Sequence, residues 1–228
     1  MTPFSPIRHV SGSPSETFRL VRWTLLRSFR FLRSNSADKT IWIPKYRLAY
    51  VYIPKVACTS LKIVAARLLG LPTRARDAEW IHYLPFPTIA PCQLHGRHDR
   101  DIFAFAFVRD PITRAYSCFR NRIRPTPDRT DDFYHRGLFR GFLRYGDFYA
   151  GMPFHRFVEV IATIPDPDAD EHFRSQYSFI PRTQSGFAID FLGRFEQMSR
   201  DYSRLSTRVP ELSGLSLPNR MASSSASP

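Results

Sequence analysis

Two short stretches of this 228-residue chain carry residue types that bind phosphate-like anions. The first is Ile53-Pro54-Lys55-Val56-Ala57-Cys58-Thr59-Ser60, set between an apolar run and a stretch of helical periodicity. The first N–H groups of a helix lack intrahelical partners and sit at the positive end of its dipole. A turn with Lys55 ahead of them and the hydroxyls of Thr59 and Ser60 at the start makes an anion cradle. It is not a Walker A loop: G-x-x-x-x-G-K-[ST] is absent and no glycine occurs between Tyr46 and Leu69. The same residues also fit an ordinary strand-to-helix turn with hydroxyl caps, and spacing alone leaves both readings open.

The second stretch is Phe107-Val108-Arg109-Asp110-Pro111-Ile112-Thr113-Arg114-Ala115-Tyr116-Ser117. Arg109 stands where a strand ends, the edge at which parallel sheets bind ligands. Asp110, Arg114 and Ser117 follow at helical spacing and share one face, so an arginine fork and a hydroxyl converge on one spot suited to a second phosphate. The plainer alternative pairs Arg114 with Asp110 as a surface salt bridge. Two anion sites at two strand ends of one sheet are more specific than either alone.

The elements that must hold these residues are legible as strand–helix pairs. Arg47–Ile53 is an apolar run of buried-strand length ended by Pro54, and Leu61, Val64, Ala65 and Leu68 then follow helical spacing up to Gly70 and Pro72. A second pair is the strand Ile102–Val108, then a helix opened by Asp110 as N-cap and Pro111 at its first position. A third strand is expected at Ala188–Phe195, with a helix near Gln197–Leu205. Such alternation predicts an α/β protein with a central parallel sheet flanked by crossover helices. The stretch 131–181 reads as mainly helical, with Phe154, Phe157, Val158 and Ile161 on one face. Residues 15–34 read as a basic amphipathic helix, either packed on the domain or laid on an anionic membrane. The organisation expected is a flexible lead-in and basic helix over 1–46, one catalytic domain over 47–210 and a disordered tail over 211–228.

Composition narrows the partners. A hydrophobic fraction of 43% with 14% aromatic residues excludes global disorder, and no apolar run approaches the ~20 residues that span a bilayer. Thirty-three basic against 20 acidic residues leave a formal charge of +13, and all but Lys39, Lys45, Lys55 and Lys62 of the basic residues are arginine. Arginine suits planar, bidentate recognition of phosphate and sulfate, so an anionic partner is expected. Three cysteines (Cys58, Cys92 and Cys118) with no C-x-x-C pair favour a reducing compartment. Arginines interrupt the N-terminal apolar residues, so no secretory signal is expected and a cytoplasmic location follows, with peripheral membrane contact through 15–34 as its extension.

Ile-Pro-Lys-x-x-x-Thr-Ser after one strand and Arg-Asp-Pro-x-x-Arg-x-x-Ser after another resemble the sulfotransferase superfamily, and within it the Golgi-type carbohydrate sulfotransferases and their bacterial relatives. Gly193-Arg194-Phe195-Glu196 followed by Asp201 resembles the late strand and helix of that family, and Leu217-Pro218-Asn219-Arg220 looks like the start of its Asn-bearing segment. The resemblance spans about residues 48–205 and implies a P-loop-like three-layer fold that binds 3′-phosphoadenylyl sulfate (PAPS). Carried over by position, it implies that Lys55, Val56, Ala57, Cys58, Thr59 and Ser60 hold the 5′-phosphosulfate, and Arg109 and Ser117 the 3′-phosphate.

Sulfuryl transfer places negative charge on the leaving oxygen, where Lys55 and helix-end N–H groups lower the barrier. The acceptor hydroxyl needs a base, for which histidine fits. His95 and His98, just before the second strand, resemble the base position of heparan-type enzymes. His172, in Asp170-Glu171-His172-x-x-x-Gln176, resembles a segment of chondroitin-type enzymes; His95 is favoured. Cys92, His95 and His98 read as metal ligands lack a fourth partner at usual zinc spacing, and the scheme calls for no metal. A P-loop phosphotransferase would want a glycine-rich loop and magnesium ligands. A nucleic-acid-binding protein would account for the charge but not for paired strand-end motifs, so no nucleic-acid partner is expected. The acceptor expected is a carbohydrate or glycolipid hydroxyl.

Overall fold

The computed structural model describes residues 40–73, 80–90, 94, 102–124, 130–183 and 186–218. The amphipathic segment 15–34, Cys92, His95 and His98 lie outside the described residues. The described part belongs to one compact unit, Asp38–Pro228. Its centre is a four-stranded sheet of β1 (Thr40–Ile43), β2 (Leu48–Val51), β3 (Phe103–Val108) and β8 (Phe191–Arg194), in that spatial order. Two-residue strands form the small hairpins β4 (Tyr134–His135) with β5 (Leu138–Phe139), and β6 (Arg182–Thr183) with β7 (Gly186–Phe187). The α-helices are α1 (Cys58–Leu68), α2 (Pro111–Arg122), α3 (Phe154–Thr163) and α4 (Met198–Arg208).

β2, β3 and β8 are parallel, joined by crossovers that contain α1 and α2. The sheet is mixed, however: β1 runs antiparallel to β2. The expected α/β architecture, a central sheet of mostly parallel strands flanked by helices, is present with β1 as its antiparallel edge, and the reading of 40–43 as lead-in is corrected. Thr40-Ile41-Trp42-Ile43 is a four-residue strand whose return is made by a single turn of 3-10 helix, Pro44–Tyr46, and by Arg47 at φ 48. So short a strand leaves little periodic signal.

Every residue of β2 is buried, as a strand covered on both faces requires. Asp190 fixes the far edge of the sheet: its Oδ2 accepts from the Ala104 N–H at 2.7 Å, and its own N–H donates to the Ala104 carbonyl at 2.7 Å. β8 opposes Gly193 to Phe107 of β3, and the fully buried Phe107 ring lies over the glycine.

A second core forms where α2, the β4–β5 hairpin and α3 meet. Cys118, Ile123, Leu138, Phe142, Phe148, Met152, Phe157 and Val160 are buried together there. The stretch 131–181 is therefore less helical than expected, with α3 its one α-helix among the described residues. Gly137, Gly146 and Gly151 adopt positive φ at turns, and Pro153, Pro165, Pro167 and Pro181 punctuate the rest. The packed chain also runs past residue 210. Leu212 is buried, and the Tyr202 hydroxyl donates to the Leu215 carbonyl at 2.8 Å, so 211–218 is part of the domain rather than a disordered tail. No helix among the described residues is long and apolar enough to cross a membrane.

The Gly193–Phe107 contact sets a test of the sheet. A Cβ at position 193 would stand 2.3 Å from Phe107 Cε1 and 2.5 Å from Cδ1. The ring, buried on all sides, has nowhere to retreat, so Gly193→Ala is expected to cost about 1–3 kcal/mol. Thermal unfolding followed by circular dichroism should show Tm lowered by roughly 2–10 °C.

Candidate active site

The turn between β2 and α1 is strained in a defined way. Lys55 and Ala57 both have left-handed backbones, at φ 68 and 49, in a segment without glycine. That conformation costs a residue with a Cβ roughly 1–2 kcal/mol and persists only where surroundings enforce it. Here they do. The Val56 N–H donates to the Ile53 carbonyl at 3.3 Å, Arg114 Nε donates to the Pro54 carbonyl at 3.0 Å, and an Arg109 guanidinium N–H donates to the Lys55 carbonyl at 3.3 Å.

Ala57 occupies the N-cap of α1, and no side chain caps the helix. The hydroxyl-capped turn that these residues could also have formed is thus not the one adopted. Thr59, buried at the second helical position, turns its Oγ1 to His82 Nε2 at 3.0 Å. The Ser60 hydroxyl donates to the Pro218 carbonyl at 2.7 Å, which ties the 211–218 segment to the first turn of α1. Lys55 is largely enclosed, and its ammonium is held below its ordinary pKa by desolvation, with the charges of Arg122 and Arg109 adding to the effect.

The second stretch is built differently from its expected face. Arg114 is 4% exposed and makes neither a salt bridge with Asp110 nor an open anion fork. Each of its three guanidinium nitrogens donates to a carbonyl: Pro54 at 3.0 Å, Arg174 at 2.8 Å and Glu171 at 3.1 Å. It is a structural bracket between the anion turn and the 170–176 segment. Asp110 caps α2 instead, accepting from the Thr113 N–H at 2.9 Å.

Arg109 is the guanidinium left near the strand end. It lies over the Phe195 ring at 4.2 Å, and its Nε donates to Thr113 Oγ1 at 3.2 Å. Ser117, four residues after Thr113 and half-buried, shares that face of α2. Gln176 grips the Arg109 backbone from both sides: its Oε1 accepts the Arg109 N–H at 2.8 Å, and its Nε2 donates to the Arg109 carbonyl at 2.7 Å. Glu196 accepts the Asp110 N–H at 2.8 Å, so the acidic residues beside Arg109 are turned to backbone donors. Asp201 likewise accepts the Arg194 N–H at 2.9 Å and fixes the end of β8.

His172 Nδ1 stands 2.5 Å from Asp170 Oδ1, and its Nε2 stands 2.5 Å from an Arg122 guanidinium nitrogen. A guanidinium only donates, so Nε2 accepts and Nδ1–H donates to Asp170. Both ring nitrogens are committed. Burial pushes the imidazole down to about 4, against the opposing pull of Asp170. His172 therefore aims Arg122, which stacks on Phe139 at 4.0 Å, and offers no free lone pair to an acceptor hydroxyl.

Sequence reasoning missed three residues here: His82, Arg122 and Arg174, whose carbonyl holds Arg114. A histidine between Ile81 and Tyr83 and an arginine at a helix end carry no spacing signal of their own. Gln176 was on the page only as the last letter of a resemblance.

Two strand ends of one sheet thus present donors: amides and Lys55 at the first, Arg109 with Thr113 and Ser117 at the second. This defines an α/β protein whose sheet presents hydrogen-bond donors and cationic side chains at two neighbouring strand ends. The sequence profile of the Sulfotransferase family matches residues 38–226, and the chain belongs to that family. Among curated relatives, carbohydrate sulfotransferase 14 of Danio rerio is 24% identical over 188 residues, covering 77% of this chain and 49% of the relative. Carbohydrate sulfotransferase 12 of Mus musculus is 26% identical over 240 residues, covering 87% and 55%. Carbohydrate sulfotransferase 11 of Mus musculus is 24% identical, covering 83% and 57%. The chain spans about half the length of the curated relatives it matches. No solved structure matches it.

The committed state of His172 has a measurable consequence. Its folded pKa of about 4 lies below the ordinary 6.5, so the unfolded chain takes up the proton first as pH falls. The resulting stability is complete above pH 6.5 and is lost as pH drops towards about 4, by up to ~3 kcal/mol. Urea unfolding across that window should show this loss, and His172→Gln should show a flatter profile from pH 6.5 to 4.

Proposed function

We propose that this protein transfers the sulfuryl group of PAPS to a hydroxyl of a carbohydrate-type acceptor. The observation that carries the reading is the bridge between the two strand ends: Arg109 reaches the Lys55 carbonyl while its own backbone is clamped by Gln176. One bisphosphorylated nucleotide can then be read at both ends by groups whose separation is fixed. The residues present suit it. The first site offers a left-handed turn, an uncapped helix start, the buried Thr59 and an enclosed ammonium; the second offers an arginine on an aromatic ring.

When bound, PAPS supplies an activated sulfuryl group. In this reading Lys55 and the backbone N–H groups of Ala57, Cys58, Thr59 and Ser60 hold the 5′ end, around the turn that the Val56 N–H closes onto the Ile53 carbonyl, and Lys55 stabilises charge on the leaving phosphate oxygen. Arg109 and Ser117 hold the 3′-phosphate. The proton of the acceptor hydroxyl is taken by His95, with His98 its nearest rival, since both nitrogens of His172 are occupied. The family and the names of its relatives support a carbohydrate acceptor.

Transfer of radiolabelled sulfate from PAPS onto a panel of glycans tests the activity directly. Lys55→Ala should keep the fold and lose ~10²–10³ in turnover. Near-normal turnover in a folded variant would remove the role given to the first turn. His95→Ala should lose ~10²–10⁴ in turnover with adenosine 3′,5′-bisphosphate affinity unchanged. Activity abolished by His98→Ala alone would move the base three residues on.

A further inference from the structure

His82 lies in the single 3-10 turn Trp80–Tyr83, an exposed residue whose two ring nitrogens both contact side chains of α1. Its Nε2 is 3.0 Å from Thr59 Oγ1 and its Nδ1 is 3.4 Å from Lys62 Nζ. Lys62 is 6% exposed, and its Nζ sits 3.9 Å above the Tyr52 ring, the place an ammonium takes over a π face. An ammonium has three hydrogens and no lone pair, so it donates to Nδ1. A neutral imidazole carries one N–H, which Lys62 thereby places on Nε2, facing Thr59.

We propose that His82 is a positioning residue for the anion cradle: its Nε2–H donates to Thr59 Oγ1, so that the Thr59 hydroxyl hydrogen is left to donate to the bound anion. A hydroxyl has one hydrogen, and whichever neighbour receives it takes it from the ligand. Were Nε2 bare, Thr59 would donate to the ring and present only lone pairs to the cradle. Lys62 thus acts at one remove, by choosing the tautomer. The enclosure around the ring and the nearby charges of Lys62, Arg122 and Lys55 hold His82 below its ordinary pKa, in keeping with a neutral ring. His82 stands beside the turn rather than in it, and it was not among the histidines that the sequence singled out.

The inference rests on the reading of the first turn as the seat of the nucleotide's 5′-phosphate, and the test separates the two. Calorimetric titration of the full chain with adenosine 3′,5′-bisphosphate compares wild type, His82→Ala, His82→Gln, Thr59→Val and the double variant His82→Ala/Thr59→Val. His82→Ala should weaken binding roughly tenfold, as loss of one hydrogen bond to a charged group implies. His82→Gln, which restores an N–H donor near the place of Nε2, should recover most of it. The double variant should bind no worse than Thr59→Val, because His82 acts through that hydroxyl. Additive losses, or a glutamine variant as weak as alanine, would overturn the proposal.

A ligand-free readout accompanies it. Long-range proton–nitrogen spectra of the wild-type chain should show Nε2 protonated and Nδ1 bare, with that preference lost in Lys62→Met. A proton on Nδ1 in the wild type would overturn the proposal whatever the titration gives. Absence of bisphosphate binding by a wild type with the expected tautomer would instead defeat the nucleotide reading.

Discussion

A buried guanidinium bonded to three backbone carbonyls holds the turn between β2 and α1 in shape. Arg114 reaches Pro54, Glu171 and Arg174, segments far apart in the chain, from the first turn of α2. Burying that charge is costly unless it is hydrogen-bonded, and a planar fork whose three nitrogens each reach a carbonyl offsets that cost at three separate points, where a lysine has a single nitrogen. The strained backbone at Lys55 and Ala57 depends on this anchor and on the parallel contact from Arg109. The 170–176 segment contributes at each point: two carbonyls to Arg114, the Gln176 amide to Arg109 and the Asp170–His172 pair to Arg122. It joins the two strand ends that carry Lys55 and Arg109 into one hydrogen-bonded piece.

The electrostatics of the site follow from that rigidity. Lys55 feels Arg122 and Arg109, while His82 feels Lys62, Arg122 and Lys55, all cationic. Nearby carboxylates are spent elsewhere: Asp170 on His172, Asp110 on the α2 cap, Glu196 on a backbone N–H. A fixed array of cations and donors repels itself in the free protein and is relieved by an anion. Preorganisation of this kind places its electrostatic cost in folding rather than in binding. His172 and His82 are both held below the ordinary imidazole pKa there, by desolvation and by the neighbouring cations.

The strand–turn–helix units around Lys55 and Arg109 were legible because their signals are local: an apolar run, a terminating proline, an Asp-Pro helix start. The N-cap role of Asp110 and the helix Cys58–Leu68 follow from such signals. Arg114 was not legible. Its spacing with Asp110 and Ser117 is real, but a 4%-exposed side chain answers to carbonyls brought by tertiary packing, which no helix periodicity encodes. The antiparallel β1 and the coil-rich stretch 131–181 escaped for the opposite reason, being made of elements too short to show a period. His82 is positioned by a contact with α1 more than 20 residues away in sequence, so only the fold reveals it.

The central claim is that one nucleotide spans the two strand ends. A crystal structure of the protein with adenosine 3′,5′-bisphosphate tests it most directly. The account predicts the 5′-phosphate at the start of α1, within hydrogen-bond distance of Lys55 Nζ and the Thr59 hydroxyl, and the 3′-phosphate on Arg109 beside Ser117. A nucleotide bound elsewhere, or one whose 3′-phosphate leaves Arg109 stacked on Phe195 and untouched, would contradict it.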